Sequence, residues 1–366
     1  MKSLALGIMS GTSADGISVA LIKIDKEQIE LVAFKNYLFP EPVRDQILKG
    51  PYLPASQLAR LNFTLGKLFG RAALRLLKES KVKSKNVSVV GSHGQTIFHD
   101  PGQATLQIGE PAVIAEILKI PVVANFRPRD IAAGGQGAPL IPYFDWFYFK
   151  KEAPLALQNI GGIANVTVVA RKKENIFAFD TGPGNCLLDL AITLKTKGKW
   201  SYDKNSYWAK RGRPSLNLIH NALKHPFFHK APPKSTGREL FGDNFLRKYF
   251  ASLMTRNLPD LAATLTQFTA SSIALAYNKF IFPKIRIKKV IVSGGGTNNP
   301  LIMESLQKQI ATEVIEIEDF GIPTQAKEPM AFALMAYQAI HGQPNHIPSA
   351  TGAKGPPRIL GEITCK

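Results

Sequence analysis

Apolar residues open the chain in two runs, "LALGIM" and "ISVALIKI", with the small, polar stretch Ser10–Gly16 between them. β-branched enrichment on both sides of a Ser/Gly/Asp turn predicts two strands, and "IELVAFKNYLF" predicts a third, so the start reads as a meander. From Ser56 to Ser80 leucines recur at three- and four-residue spacing, which predicts a helix. A strand "VSVVGS", a helix near Glu110–Leu118 and a strand "PVVAN" follow. The second half repeats the order. "LALQNIG", "ANVTVVA" and "NIFAFD" predict another meander, and a helix starts in "NCLLDLAITLK". After an irregular basic insertion come a long helix (Leu258–Phe280), the strand "KVIVSGGG", a helix from Pro300, the strand "VIEIE" and a helix from Glu328.

The repeat lies in the order of elements, not in the letters. A module of this kind, used twice, predicts an α/β fold of two duplicated domains flanking a cleft. The Gly/Pro-rich "AAGGQGAPLIP" (Ala132–Pro142) is the candidate hinge. The expected division is residues 1–133 with roughly 342–366 on one side, and 134–341 on the other.

Composition sharpens this picture in three places. With 366 residues and 45% hydrophobic content, the chain can bury a sizeable core. Two cysteines rule out a disulfide framework. No apolar run reaches the roughly 18 residues of a membrane span, and the apolar start is too short for a signal peptide. A cytoplasmic protein is expected. The net charge of +19 raises nucleic-acid binding as a rival reading. Between residues 171 and 250 stand 16 Lys and Arg against 6 Asp and Glu, but they alternate with Pro, His and apolar residues and form no nucleic-acid motif. Attraction of anionic small molecules is the preferred reading.

The opening turn offers backbone N–H groups and hydroxyls with little bulk, which suits phosphate oxygens. It is no P-loop, since no GxxxxGK[ST] is present. Asp15 fits an anion site only if a cation such as Mg²⁺ joins them, directly or through water. On this stretch alone an ordinary polar hairpin turn is the preferred reading. "NIGGIAN" (Asn159–Asn165) and "VSGGGTNN" (Val292–Asn299) supply two more glycine turns at strand ends. Three such turns in a duplicated frame point to nucleotide binding.

This arrangement resembles the actin/hexokinase/Hsp70-like ATPases. At closer range, "GIMSGTSADGI", "GSHGQTIFH", "DIAAGGQGAPL", "NIGGIANVT", "FDTGPGN", "SGGGTNNP" and "KEPMAFALMAY" together resemble the anhydro-N-acetylmuramic acid kinase family. The likeness runs from Gly7 to "IPSATGA" (Ile347–Ala353), essentially the whole chain. It implies an ATP- and Mg²⁺-dependent kinase that opens the 1,6-anhydro bond of the sugar with water and phosphorylates O6, in cell-wall recycling. Another sugar kinase of the same superfamily, or a non-catalytic nucleotide- or nucleic-acid-binding protein, are the alternatives. A homodimer is left open.

The resemblance also implies roles for residues. ATP would be held by Gly11, Thr12, Ser13, Ala14, Asp15, Gly16, Ile17 and Ser18, by Asn159, Gly161, Gly162 and Asn165, and by Gly294, Gly295, Gly296 and Asn298. Asp180 would be the base that activates water, although Asp also suits a helix cap here, as do Thr181 and Asn185. Glu328 would lie near the sugar, although a first-turn carboxylate at a helix start needs no such role. Gln95 and Thr96 would meet sugar hydroxyls, and Arg129 with Asp130 would anchor the substrate, whose carboxylate suits a guanidinium. Arg127 is a rival to Arg129 on chemistry alone. His93 and His99 lack a third ligand and read as hydrogen-bonded rather than metal-binding. Ser18 stands where the family usually has an acidic residue, and Pro329 where a small residue is more common. "YFDWFYF" (Tyr143–Phe149) reads as a buried helix.

Overall fold

The computed structural model describes residues 2–26, 28–255 and 257–366. Among the described residues, twelve strands form two sheets. The first sheet contains β1 (Ser3–Ser10), β2 (Gly16–Asp25), β3 (Gln28–Leu38), β4 (Val87–Asp100), β5 (Ala104–Ile108), β6 (Val122–Ala124) and β12 (Glu362–Thr364). The second contains β7 (Leu155–Ile160), β8 (Ile163–Val169), β9 (Phe177–Pro183), β10 (Lys289–Ser293) and β11 (Glu313–Glu316).

The strand orders carry the duplication. The first sheet runs β12-β6-β4-β1-β2-β3, with β5 added beside β4, and the second runs β11-β10-β7-β8-β9. Without β12 and β5 the two orders are the same. In each, three antiparallel meander strands lead into two parallel ones.

The chain divides into Met1–Tyr148 with Gly321–Lys366, and Phe149–Phe320. These limits differ from those expected at 133 and 342. The helix Pro142–Phe149 and the helix Lys327–Ile340 were assigned to the second half on sequence order, yet nearly all of the first and the whole of the second belong to the first unit. The reason is packing.

In the first unit, β1 alternates its faces. Leu6 and Ile8 join a core with Leu61, Leu65, Phe69, Leu76 and Leu77 of the helix Ala55–Glu79. Ala5 and Gly7 face the other way, as the two-residue period of a strand requires. There the helix Lys327–Ile340 lies directly on the sheet. A Cβ on Gly7 would stand 1.7 Å from the Pro329 carbonyl oxygen, and one on Gly91 would stand 2.0 Å from that of Phe332. Met330, Ala331, Phe332, Leu334 and Met335 of this helix are buried. The aromatic helix Pro142–Phe149 buries Tyr143, Phe144, Phe147 and Phe149, as expected, and Asp145 on it pairs with Lys327 at 2.8 Å.

In the second unit, Ala270, Ile273, Ala274 and Tyr277 pack against Val166, Val168, Val290 and Val292. They lie on the helix Leu258–Ala276 and on a wider helical turn, Tyr277–Ile281, that continues it. The basic insertion has a core of its own. Phe227, Phe228, Phe241, Phe245 and Phe250 cluster with Phe268 of the long helix, so its charges decorate folded structure.

Gly91→Ala puts a methyl group where the Phe332 carbonyl stands. Denaturant unfolding should show a loss of about 1–3 kcal/mol, the usual cost of overpacking, and an unchanged midpoint would refute this account of the helix–sheet contact.

Candidate active site

The first glycine turn joins β1 to β2. Ala14 is fully buried with a left-handed backbone (φ 53°), and its N–H donates to the Gly11 carbonyl at 3.0 Å. A non-glycine residue held there is strained, and such strain persists only when its surroundings impose it. Gly11 is the open position: a Cβ there would meet only the Ser13 hydroxyl, at 3.8 Å. Thr12 and Ser13 are exposed, and Asp15 is exposed with Arg44 at 3.7 Å. Ser18 donates to Asn36 Oδ1 at 3.4 Å, which ties it to β3.

Gln95 is placed differently from the expectation. It is fully buried, its Oε1 accepts from the Ser10 hydroxyl at 2.6 Å, and its Nε2 donates to the Gly11 and Thr96 carbonyls at 3.2 Å each. Its amide braces the glycine turn and has no donor left for a sugar. Thr96 accepts from Gln107 Nε2 at 3.4 Å.

Asp130 is likewise engaged inside the fold. One oxygen meets His346 Nε2 and the Thr351 hydroxyl at 2.6 Å each, and the other accepts the Gly137 N–H at 2.6 Å. Burial pushes its carboxyl pKa up, but these bonds outweigh burial and hold it below the ordinary value. It ties the Gly-rich loop to the C-terminal segment instead of anchoring a ligand. Arg129 is exposed and donates to the Ile359 carbonyl at 2.8 Å.

Arg127 is the guanidinium turned inward. Its Nε donates to His93 Nε2 at 3.0 Å, and Nη1 to the Gly137 carbonyl at 3.2 Å. His93 is buried against Phe332 (4.7 Å between rings) and its Nδ1 bonds the Gly94 carbonyl. Burial, then the charge of Arg127, push its pKa down to about 3, so His93 is neutral and can accept from Arg127. Burial lowers Arg127 to about 10, with Glu328 and then Asp130 pulling the other way. Glu328 keeps an exposed side-chain surface yet is crowded by protein. That crowding raises its pKa, against the opposing charges of Lys327 and Arg127. Glu328 therefore sits in the first turn of the helix that Gly7 and Gly91 bring onto the sheet.

In the second unit the second and third glycine turns meet. A Cβ on Gly294 (φ 97°) would stand 2.6 Å from the Ile160 carbonyl oxygen, and one on Gly296 would stand 2.3 Å from the Ile160 side chain. These two glycines serve the contact between turns. Gly295 is open, with only the Asn185 amide at 3.8 Å, and Asn298 is exposed. Asn159 and Asn165 face each other across β7 and β8. The carbonyls of Gly161 and Gly162 accept from the N–H groups of Asn185, Gly184 and Cys186.

Asp180 lies within β9, well before the helix Cys186–Lys195, and Asn185 holds the cap position. The capping alternative is thereby removed. A segment the sequence reading passed over, Lys234–Glu239, closes on Asp180 from two sides. The Asp180 N–H donates to the Lys234 carbonyl at 3.0 Å, and the Thr236 N–H donates to Asp180 Oδ2 at 2.8 Å. Lys234 anchors this segment. Its ammonium is buried, donates to the Phe227 carbonyl at 3.0 Å and lies 4.6 and 4.7 Å from the Phe227 and Phe280 rings. Burial raises the Asp180 pKa to about 6; Glu239 adds to this, while the Thr236 N–H and Lys234 oppose it. The available signal was "KSTGRE", small and polar residues after two prolines inside an otherwise aromatic insertion. Among the described residues no cluster of His, Cys, Asp and Glu is arranged to hold a metal, and no helix is long and apolar enough to cross a membrane.

Asp130→Asn leaves its buried partners mismatched. Denaturant unfolding should show a loss of about 3–5 kcal/mol, as for breaking a buried pair, and wild-type stability would mean that the network does not support the fold.

An anhydro-N-acetylmuramic acid kinase of Caldanaerobacter subterraneus subsp. tengcongensis is 43% identical, with 99% of this chain and 97% of that protein aligned. One from Bacillus cereus is 42% identical over 98% of each. Among solved structures, component A of (R)-2-hydroxyglutaryl-CoA dehydratase from Acidaminococcus fermentans aligns with 92% of this chain and 98% of its own, at 14% identity and a TM-score of 0.42, too distant to add to the fold read from the sheets. The family model described as anhydro-N-acetylmuramic acid kinase matches residues 3–366, and with relatives this similar along their whole length, the chain belongs to the anhydro-N-acetylmuramic acid kinase family.

Proposed function

We propose that this protein uses ATP and water to convert 1,6-anhydro-N-acetylmuramic acid into N-acetylmuramic acid 6-phosphate, with Asp180 as the base. The observation that carries the assignment of the base is the setting of Asp180. A half-buried carboxylate, gripped by one N–H on one oxygen and raised to about 6, is ionised at neutral pH and can take a proton. Asp180 takes a proton from water, the water oxygen bonds to C1, and the C1–O6 bond breaks with its electron pair on O6. O6 then bonds to the terminal phosphorus, and the bond to the β-phosphate oxygen breaks with its pair on ADP.

Open space at Gly11 and Gly295, with exposed Thr12, Ser13 and Asn298, supports nucleotide contact at the first and third turns. Asp15 is a hard, exposed oxygen ligand beside the first turn and fits Mg²⁺, which would screen the phosphate charges. Arg44 at 3.7 Å would have to yield or share that carboxylate. On the sugar side, Thr96, Arg129 and Glu328 are the proposed contacts, with Arg127 holding the charge balance at Glu328. Gln95 and Asp130 support the loops from behind. Dependence on ATP supports a cytoplasmic site of action, and the sugar supports a role in peptidoglycan recycling.

Asp180→Asn should lower turnover of the anhydro-sugar by ~10²–10⁴-fold, the usual worth of a general base, while ATP affinity is kept. The wild-type kcat/KM should fall as pH drops through about 6, because the raised carboxyl pKa removes the ionised form below that value. A variant with near wild-type turnover, or a flat acid limb, would remove Asp180 from the role. Exhaustive EDTA treatment should abolish turnover and Mg²⁺ or Mn²⁺ should restore it; full activity without divalent cation would refute the metal requirement.

A further inference from the structure

The segment that grips Asp180 also carries a cation to the second glycine turn. Arg238 follows Thr236 by two residues, and its guanidinium lies beside Gly162, in contact distance of where a side chain there would begin. Nη2 lies 3.5 Å, and Nε 3.8 Å, from the position of a Gly162 Cβ. Three observations say why it is there. First, the turn does not need it: the Gly161 and Gly162 carbonyls already accept from Gly184, Asn185 and Cys186. Second, Arg238 is exposed, and its guanidinium has no hydrogen bond or ion pair among the described residues. The nearby acids do not neutralise it. Asp189 feels its charge, yet burial outweighs Arg238 and raises the Asp189 pKa to about 7, and the Glu239 carboxylate is turned back toward Gly237. Third, its loop is fixed, by the Lys234 ammonium on the Phe227 carbonyl and by the Thr236 N–H on Asp180. An exposed, uncompensated guanidinium on a rigid loop beside a glycine turn suits an anion with forked oxygens.

We infer that Arg238 is a catalytic residue that contacts the terminal phosphoryl group of the nucleotide as it passes to the sugar oxygen. This rests on the proposed kinase function and on the role that the resemblance implies for Gly161 and Gly162, that the second glycine turn faces the phosphates. The phosphoryl group gains a bond to O6 and loses the bond to the β-phosphate oxygen, whose electron pair leaves with ADP. Charge spread over its three outer oxygens is met by the guanidinium, and one segment thereby serves both halves of the reaction: Thr236 holds the base and Arg238 the transferred group.

The test uses the full chain and three variants: Arg238→Ala, Arg238→Lys and Gly161→Val. A transition-state cation of this kind is worth ~10³–10⁵-fold in kcat. Arg238→Ala should lose activity on that order while keeping its melting temperature, Arg238→Lys should recover little, and added guanidinium should partly rescue the Ala variant. Calorimetry gives a readout apart from turnover. ADP should bind Arg238→Ala about as well as wild type, whereas ADP with aluminium fluoride and sugar, a mimic of the moving phosphoryl group, should bind far more weakly. Gly161→Val fills a turn with open space, since its Cβ would meet only the Asn159 amide and the Ile163 carbonyl oxygen, both at 3.5 Å. If Gly161→Val loses ATP affinity while Arg238→Ala keeps wild-type turnover and mimic affinity, the role of Arg238 is overturned and the turn reading stands. If Gly161→Val binds ATP normally, the turn does not face phosphates and the inference falls with it.

Discussion

Everything in the first unit depends on how near one helix comes to one sheet. Lys327–Ile340 touches β1 and β4 through Gly7 and Gly91, where any side chain would overlap the carbonyls of Pro329 and Phe332. Side chains normally separate a helix from a sheet by a full layer; two glycines in adjacent strands remove that layer. This places Glu328 next to the residue whose carbonyl meets Gly7 of β1, the strand that leads into the first glycine turn. The buried, small and flexible residues Met330, Ala331, Ala333 and Met335 let the rest of the helix follow. Pro329 suits the arrangement, since a helix can carry proline in its first turn and its carbonyl is the atom that meets Gly7.

The second unit solves the same problem by letting turn meet turn. Gly294 and Gly296 bring the third glycine loop onto Ile160, and a Cβ on Gly184 would lie 2.2 Å from the Gly161 carbonyl oxygen. Glycines that resemble ligand contacts in the sequence thus divide into two kinds. Gly7, Gly91, Gly184, Gly294 and Gly296 allow backbone to approach backbone. Gly11 and Gly295 have room beside them. The division cannot be read from the letters because both kinds are small for the same reason, close approach, and only the approaching object differs.

Electrostatics follow from these contacts. Asp180 and Glu328 are both raised chiefly by desolvation, each opposed by nearby cations, Lys234 for one and Lys327 with Arg127 for the other. Asp130 experiences burial too, but three short bonds reverse its effect. Three carboxylates in polar motifs are thus set apart by their partners: one is held ionised inside the fold, and two are raised where they reach solvent.

The sequence by itself determined the order of elements that the two halves share, the duplication, the buried aromatic helix and the family; the strands β5 and β12 lay outside it. The first three depend on periodicity, β-branched runs and turn residues, which are local properties of the chain, and the family on the resemblance of the whole set of motifs. The strand order of the two sheets then agreed with the repeat. Only the tertiary structure decided what the polar side chains do. Gln95 meets Ser10 from 85 residues away, Asp130 meets Thr351 from 221 away, and Arg127 rather than Arg129 turns inward. The helix Lys327–Ile340 likewise joins a unit that the sequence order assigned elsewhere. A motif states which donors and acceptors are available. Which of them remain for a ligand depends on partners brought from distant parts of the chain, because a buried polar group must be satisfied before it can serve anything else.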